Sequence, residues 1–183
     1  MSIKSNEVRL KPIYAHGFFH VCRIGGIYQT IMFRYADETS YYWRLLRESG
    51  KGKESIEEEI SLLRENMQSF LDDEEVYIND KRTRPVVSDV VIDSVSPGEA
   101  TITFLIRFRA PLRSGVNTYV NIYEEEIAEY DYTVVWLFPV GGRVVEARVG
   151  VDYEVRRDGS ILLFRVKKGT RVGGREEIVF EVY

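Results

Sequence analysis

Cysteine is all but missing from this chain. Cys22 stands alone among 183 residues, so an intramolecular disulfide is excluded, along with the staple on which small domains of oxidising compartments rely. Histidine is nearly as scarce, with only His16 and His20, which leaves few groups for acid–base work by imidazole near neutral pH. Long apolar runs are missing too. Thr133–Phe138 is among the longest, far short of the roughly 20 residues of a membrane helix. The opening MSIKSNEVRLKP contains no apolar segment of the kind a signal peptide needs. These absences predict a cytoplasmic protein with no membrane contact. An excess of positive charge is also lacking: the net charge is −4 and the isoelectric point about 5.4. That balance disfavours a general nucleic-acid binder, which needs a basic face.

Several motifs are absent as well. There is no Gly-x-Ser-x-Gly elbow, and Gly25-Gly26 and Gly173-Gly174 lack the downstream Gly-Lys of a phosphate loop. The acidic run Glu124-Glu125-Glu126 lacks the spacing of a calcium loop. No cofactor and no metal are implied.

What is present describes a folded domain. Hydrophobic residues make up 44% and charged residues 30%, enough to bury a core. Eighteen arginines against seven lysines, with only two glutamines, form a thermophile-like bias. A hyperthermophilic archaeal source is the expectation, and a melting temperature below about 60 °C would contradict it.

Periodicity divides the chain into three zones. Residues 13–36 hold two apolar runs joined by Gly25-Gly26, which read as a β-hairpin because glycine reaches the backbone angles that tight turns require. Residues 37–73 read as helical. A short aromatic helix is expected over about 38–48, after the cap-rich Asp37-Glu38-Thr39-Ser40. Ser49-Gly50-Lys51-Gly52 breaks it. A second helix is expected over about 55–72, opened by a Ser55-x-x-Glu58 capping box. Ile56, Ile60, Leu63, Met67, Phe70 and Leu71 then form one apolar stripe. From residue 75 onward the pattern alternates with a period of two. Asn79-Asp80, Ser96-Pro97-Gly98, Pro139 to Gly142 and Asp158-Gly159 act as turns.

The predicted fold class is α+β. An N-terminal hairpin and two helices (residues 1–74) pack on a C-terminal antiparallel, immunoglobulin-like β-sandwich (75–183), as two units or as one compact domain. The cysteine–tryptophan core of true immunoglobulin domains is missing. On a strand expected over Ile127–Phe138 the even positions Tyr130, Tyr132, Val134, Trp136 and Phe138 form an aromatic stripe suited to the core.

The candidate ligand-binding surface is the stretch VNTYVNIYEEEIAEYD. On a strand, Asn117, Tyr119, Asn121 and Tyr123 share one face. Beside them an acidic loop carries Glu124, Glu126 and Asp131. Amides fix orientation by hydrogen bonds and phenol rings stack on apolar faces, so sugars, peptides or nucleosides suit such a surface. The same residues also make ordinary cross-strand partners.

His16, His20 and Cys22 would share a face on one strand, but a structural zinc site needs a fourth ligand. At roughly 3.3 Å per residue, His16 and His20 also stand too far apart to chelate together. Lys81 to Arg84, Lys167 to Arg171, and the group Arg107, Arg109 and Arg113 read as solvated basic clusters.

The leading functional expectation is a non-enzymatic binding or assembly module that recognises a protein or a small polar ligand. It includes a possible homodimer through uncovered strand edges. The alternative is a carboxylate-dependent hydrolase or lyase acting on a carbohydrate or nucleotide. That reading requires a pocket in which two acids converge and one has a raised pKa.

Overall fold

The structure, a computed structural model, describes residues 10–24, 26–47, 52–109 and 112–183. Gly25 of the expected hairpin turn and Ser49 to Lys51 of the expected helix break lie outside them. The elements are β1 (Leu10–Cys22), β2 (Gly26–Asp37), α1 (Tyr41–Leu45), α2 (Gly52–Asp72), β3 (Glu75–Ile78), β4 (Lys81–Arg82) and β5 (Pro85–Ser96). They continue with β6 (Glu99–Phe108), β7 (Gly115–Ile127), β8 (Asp131–Leu137), β9 (Arg143–Arg148), β10 (Tyr153–Arg156), β11 (Ile161–Val166) and β12 (Arg171–Val182).

Two sheets make an α+β sandwich. The larger has seven strands in the order β10-β11-β8-β1-β2-β6-β5, and the smaller has five in the order β4-β3-β7-β12-β9. The hairpin β1–β2 sits inside the larger sheet, with β8 on one side and β6 on the other. β1 and β8 run parallel, Tyr14 opposite Asp131 through His20 opposite Leu137. The expectation of purely antiparallel pairing is corrected at that seam. It joins strands far apart in sequence, where hairpin alternation carries no information about direction.

The core forms where the inward positions of the two sheets meet. Ile27, Ile102, Phe104 and Phe108 of the larger sheet and Val76, Ile78, Ile178 and Phe180 of the smaller one are buried. Trp136, 2% exposed, stacks on Phe19 at a centroid distance of 4.1 Å and meets Tyr119 edge-on at 4.8 Å. These rings bring the two sheets together, and aromatic pairs of this kind contribute beyond their buried area.

The helices close one border. α1 covers only Tyr41–Leu45, shorter than the aromatic stretch suggested, and Ser40 at its N-cap makes no side-chain cap bond. Asp37 acts instead. It is fully buried, accepts the Tyr42 N–H at 2.9 Å and accepts the Thr39 hydroxyl at 3.1 Å. α2 begins at Gly52, ahead of the expected Ser55 cap, so Ser55 lies within the helix. Leu63, Met67 and Leu71 of its stripe are buried, whereas Phe70 is 47% exposed.

α2 packs along β5, the edge strand. There the Gln68 amide behaves as a short substitute strand: it accepts the Val87 N–H at 3.0 Å and donates to the Pro85 carbonyl at 3.1 Å. An edge that would otherwise expose free backbone groups is thus satisfied by a helix side chain. Among the described residues no helix is long and apolar enough to cross a membrane.

Candidate functional site

β7 lies in the middle of the five-stranded sheet, between β3 and β12. Its inward positions are Asn117, Tyr119, Asn121 and Tyr123. The first three are buried and Tyr123 is half-buried. The row expected to share one face does so, and that face looks into the space between the sheets.

The four residues then part company. Asn117 is 0% exposed, and both ends of its amide are engaged. Its Oδ1 accepts from the Asn79 amide and from the Arg113 N–H, both at 2.9 Å. Its Nδ2 donates to the Arg113 and Gly115 carbonyls at 2.8 and 2.9 Å. This amide organises the start of β7. Tyr119, Asn121 and Tyr123 instead line a cavity of about 160 Å³.

Two carboxylates reach the same cavity. Glu74 sits just before β3, at the end of α2, and Glu176 lies on β12 directly opposite Asn121. The Asn121 Nδ2 donates to Glu74 Oε2 at 2.8 Å, and the Tyr123 hydroxyl donates to Glu176 Oε1 at 2.8 Å. Phe19, Phe108 and Phe164 supply apolar walls, and Gln29 adds an amide. A second cavity of about 130 Å³ shares Ile31, Phe70 and Tyr132 with the first and adds Glu126 and Tyr130. Exposed Phe70 lies where the two cavities meet α2.

The electrostatics follow from burial. Desolvation drives the Glu74 carboxyl up to about 7. The nearby Glu176 and Glu126 add to the rise, and the hydrogen bond from Asn121 partly offsets it. Burial also raises Glu176, against the lowering effect of the Tyr123 hydroxyl. The Tyr119, Tyr123 and Tyr132 phenols are all pushed up by burial first and by these acids second, so they are hydroxyl donors at any ordinary pH. One further atom stands out. Asn121 is 9% exposed, and its Oδ1 is buried with no hydrogen-bond partner. A buried amide oxygen left unpaired costs about 1–3 kcal/mol.

The expected acidic loop is corrected. Glu124, Glu125 and Glu126 belong to β7 and are exposed. A bulge in β12 between Val172 and Gly174 carries the strand past them. Gly173 holds φ +103°, and a Cβ there would lie 2.6 Å from the Glu124 carbonyl oxygen. The Gly173-Gly174 pair is thus part of one continuous strand. Asp131 lies apart from the cavity, bound to Lys167 at 2.8 Å, which with the Lys168 N–H holds its carboxyl below the usual range.

His16, His20 and Cys22 lie on the other face of β1 from buried Ala15, Phe19 and Val21. Cys22 Sγ stands 4.0 Å from His20 Nδ1. Among the described residues, no group of three or more His, Cys, Asp or Glu could hold a metal. Of the basic clusters, Arg84 holds Asp72 through two contacts at 2.7 and 2.6 Å, and Arg171 reaches Glu125 at 3.3 Å.

No family model and no curated protein matches this chain. The site therefore has to be read from its own chemistry. Sequence reasoning passed over Glu74 and Glu176, although a signal existed. In Glu74-x-Val76-x-Ile78 and Glu176-x-Ile178-x-Phe180, each acid falls at the same parity as two buried apolar strand residues, Glu74 one step ahead of β3. A carboxylate on the core parity of a strand marks a buried charge and a candidate site.

Proposed function

We propose that the chain is a small-molecule binding module whose ligand sits between the two sheets, held by Tyr119, Asn121 and Tyr123 with Glu74 and Glu176. The observation that carries this reading is the convergence of two desolvated carboxyl groups and an unpaired amide oxygen on one cavity of about 160 Å³. A cavity of about 150 Å³ holds a benzene-sized molecule, so the ligand, or the part of it that enters, is of that size. Mostly apolar walls with a few convergent polar groups are the usual make-up of such sites. Immunoglobulin-like architecture adds no chemistry to this reading, because a fold of that kind serves many purposes.

The test is a ligand-observed NMR screen of small polar and aromatic fragments against the whole chain. Hits should lose their saturation transfer in Asn121→Leu and Tyr123→Phe and keep it in Glu129→Gln, outside the cavity of about 160 Å³. A screen without hits, or hits indifferent to both substitutions, would refute the reading.

Acid–base chemistry is the second reading, and Glu74 favours it. A carboxyl poised near 7 beside a second acid suits proton transfer at neutral pH. A hydrolase or lyase built on this pair would act on a small substrate or on the terminal group of a larger one. Turnover of aryl glycosides or nucleotides that vanishes in both Glu74→Gln and Glu176→Gln would support it. Turnover that survives both changes would rule it out.

A further inference from the structure

The geometry points to a small organic cation as the ligand, an ammonium group carried on a ring or short chain. This inference rests on the binding reading above and goes further by naming the charge. Tyr119, Tyr132 and Gln29 offer neutral donors to the inter-sheet cavity, but its charged groups are all acids. Glu74 and Glu176 present carboxyl oxygens, and beside them the Asn121 Oδ1 is buried and unpartnered, while its Nδ2 is already committed to Glu74. The Tyr123 hydroxyl is likewise committed to Glu176. An unpartnered buried acceptor between two acids calls for a donor with several N–H groups, and an ammonium provides three.

The walls agree with this. Phe19, Phe108, Phe164 and Tyr119 turn aromatic surfaces to the same space, and a cation over such faces is attracted by their quadrupoles. Neither lysine nor arginine lines this cavity among the described residues, so nothing there would neutralise an anion or compete for the acids. An anionic ligand would face two carboxylates at close range in a desolvated space. Among the described residues lining it, a divalent metal would find two carboxylates, where calcium wants six or more oxygens.

Charge also couples the ligand to pH. Glu74 faces Glu176 from β12 and Glu126, Tyr119 and Tyr123 from β7, and on its outer side it shares a groove with Asp72, Arg82 and Arg84. Arg84 is bound to Asp72, and the charges acting on Glu74 are those of Glu176 and Glu126, with no basic group among them. A bound ammonium would supply the missing counter-charge. Binding should therefore deprotonate Glu74 and tighten as pH rises through about 7.

The experiment compares benzylamine, benzyl alcohol, benzoate and calcium chloride as probes, by calorimetry and thermal unfolding of the full chain. Benzylamine at pH 8.5 should bind saturably and raise the melting temperature. Its affinity should be at least about tenfold tighter at pH 8.5 than at pH 5.5, one unit of proton linkage or more across that interval. Glu74→Gln and Glu176→Gln should each weaken benzylamine about tenfold or more relative to benzyl alcohol, as loss of a desolvated ion pair does. Should either variant fail to fold, the pH dependence of the native chain decides alone.

Equal binding of benzylamine and benzyl alcohol, or preference for benzoate, would overturn the cationic ligand and leave the binding module standing. Stabilisation by calcium that disappears in both glutamine variants would overturn it in favour of a metal. Binding by none of the organic probes would defeat the inference and count against the module as well.

Discussion

Glu74→Gln should make the protein more stable at alkaline pH. Folding moves this carboxyl from its ordinary 4.5 to about 7, chiefly through burial. A folded-state pKa raised above the unfolded one means that the native state prefers the proton. Stability associated with Glu74 is therefore complete below about 4.5 and is lost progressively as pH climbs through about 7. The difference is worth about 3 kcal/mol once the carboxyl has ionised. The glutamine introduced at this position has nearly the same shape and keeps an acceptor for the Asn121 amide, but it has no charge to desolvate. For a chain of this size, about 3 kcal/mol corresponds to roughly 6–12 °C in melting temperature.

The assay is urea and thermal unfolding, followed by tryptophan fluorescence, in steps from pH 5 to 8.5. Carboxylates held low by basic partners, Asp72, Asp131 and Glu154, stay ionised across that window and do not blur the slope. The native chain should lose stability steadily as pH rises. The variant should show a much shallower loss, with the remainder owed to Glu176, which burial also raises. Parallel pH profiles for the two proteins would refute the placement of Glu74 in a desolvated wall.

Three further outcomes follow from the packing. Asn117→Ala strips a fully engaged buried amide and leaves its backbone partners unpaired, so it should cost about 2–4 kcal/mol in urea unfolding. It should leave ligand affinity intact, whereas an affinity loss at constant stability would move Asn117 into the site. Trp136→Ala removes the ring that touches Phe19 and Tyr119, and should cost about 3–5 kcal/mol. A variant as stable as the parent would contradict its central position. Gln68→Ala frees the Val87 N–H and the Pro85 carbonyl on the border strand, and should cost about 1 kcal/mol. Hydrogen exchange at the Val87 amide should quicken, and unchanged protection there would show that the helix does not shield that strand.

The architecture was largely readable in the residues because it is written in local rules. The alternation of Ile102, Phe104, Ile106 and Phe108 and the aromatic stripe through Trp136 each announce a half-buried strand, and both lie on the core face. Features that depend on distant partners were less readable. The β1–β8 seam has no local signature, since nothing near Tyr14 specifies Asp131 as its neighbour. The bulge at Gly173 looks in sequence like any glycine pair between strands. The candidate site shows the same division. The row from Asn117 to Tyr123 was visible as a face, but whether that face looked outward or inward depended on the second sheet. The conspicuous acidic run Glu124 to Glu126 after Tyr123 is exposed, and of it only Glu126 reaches the adjoining cavity among the described residues. The acids at the cavity, Glu74 and Glu176, come from segments about a hundred residues apart in sequence, and only the pairing of β3 and β12 with β7 brings them together.

The parallel seam also sets a timetable. Tyr14 to His20 leave the ribosome well ahead of their partners on one side, Asp131 to Leu137, which follow more than a hundred residues later. At ordinary synthesis rates that delay is on the order of ten seconds. For that interval β1 has β2 on one flank and a bare hydrogen-bonding edge on the other. The strand so exposed ends up in the middle of the larger sheet, and long-range pairings of this kind are slow to form. During biosynthesis the nascent chain is thus most open to foreign strands, or to a chaperone, at the place that is best protected in the finished molecule.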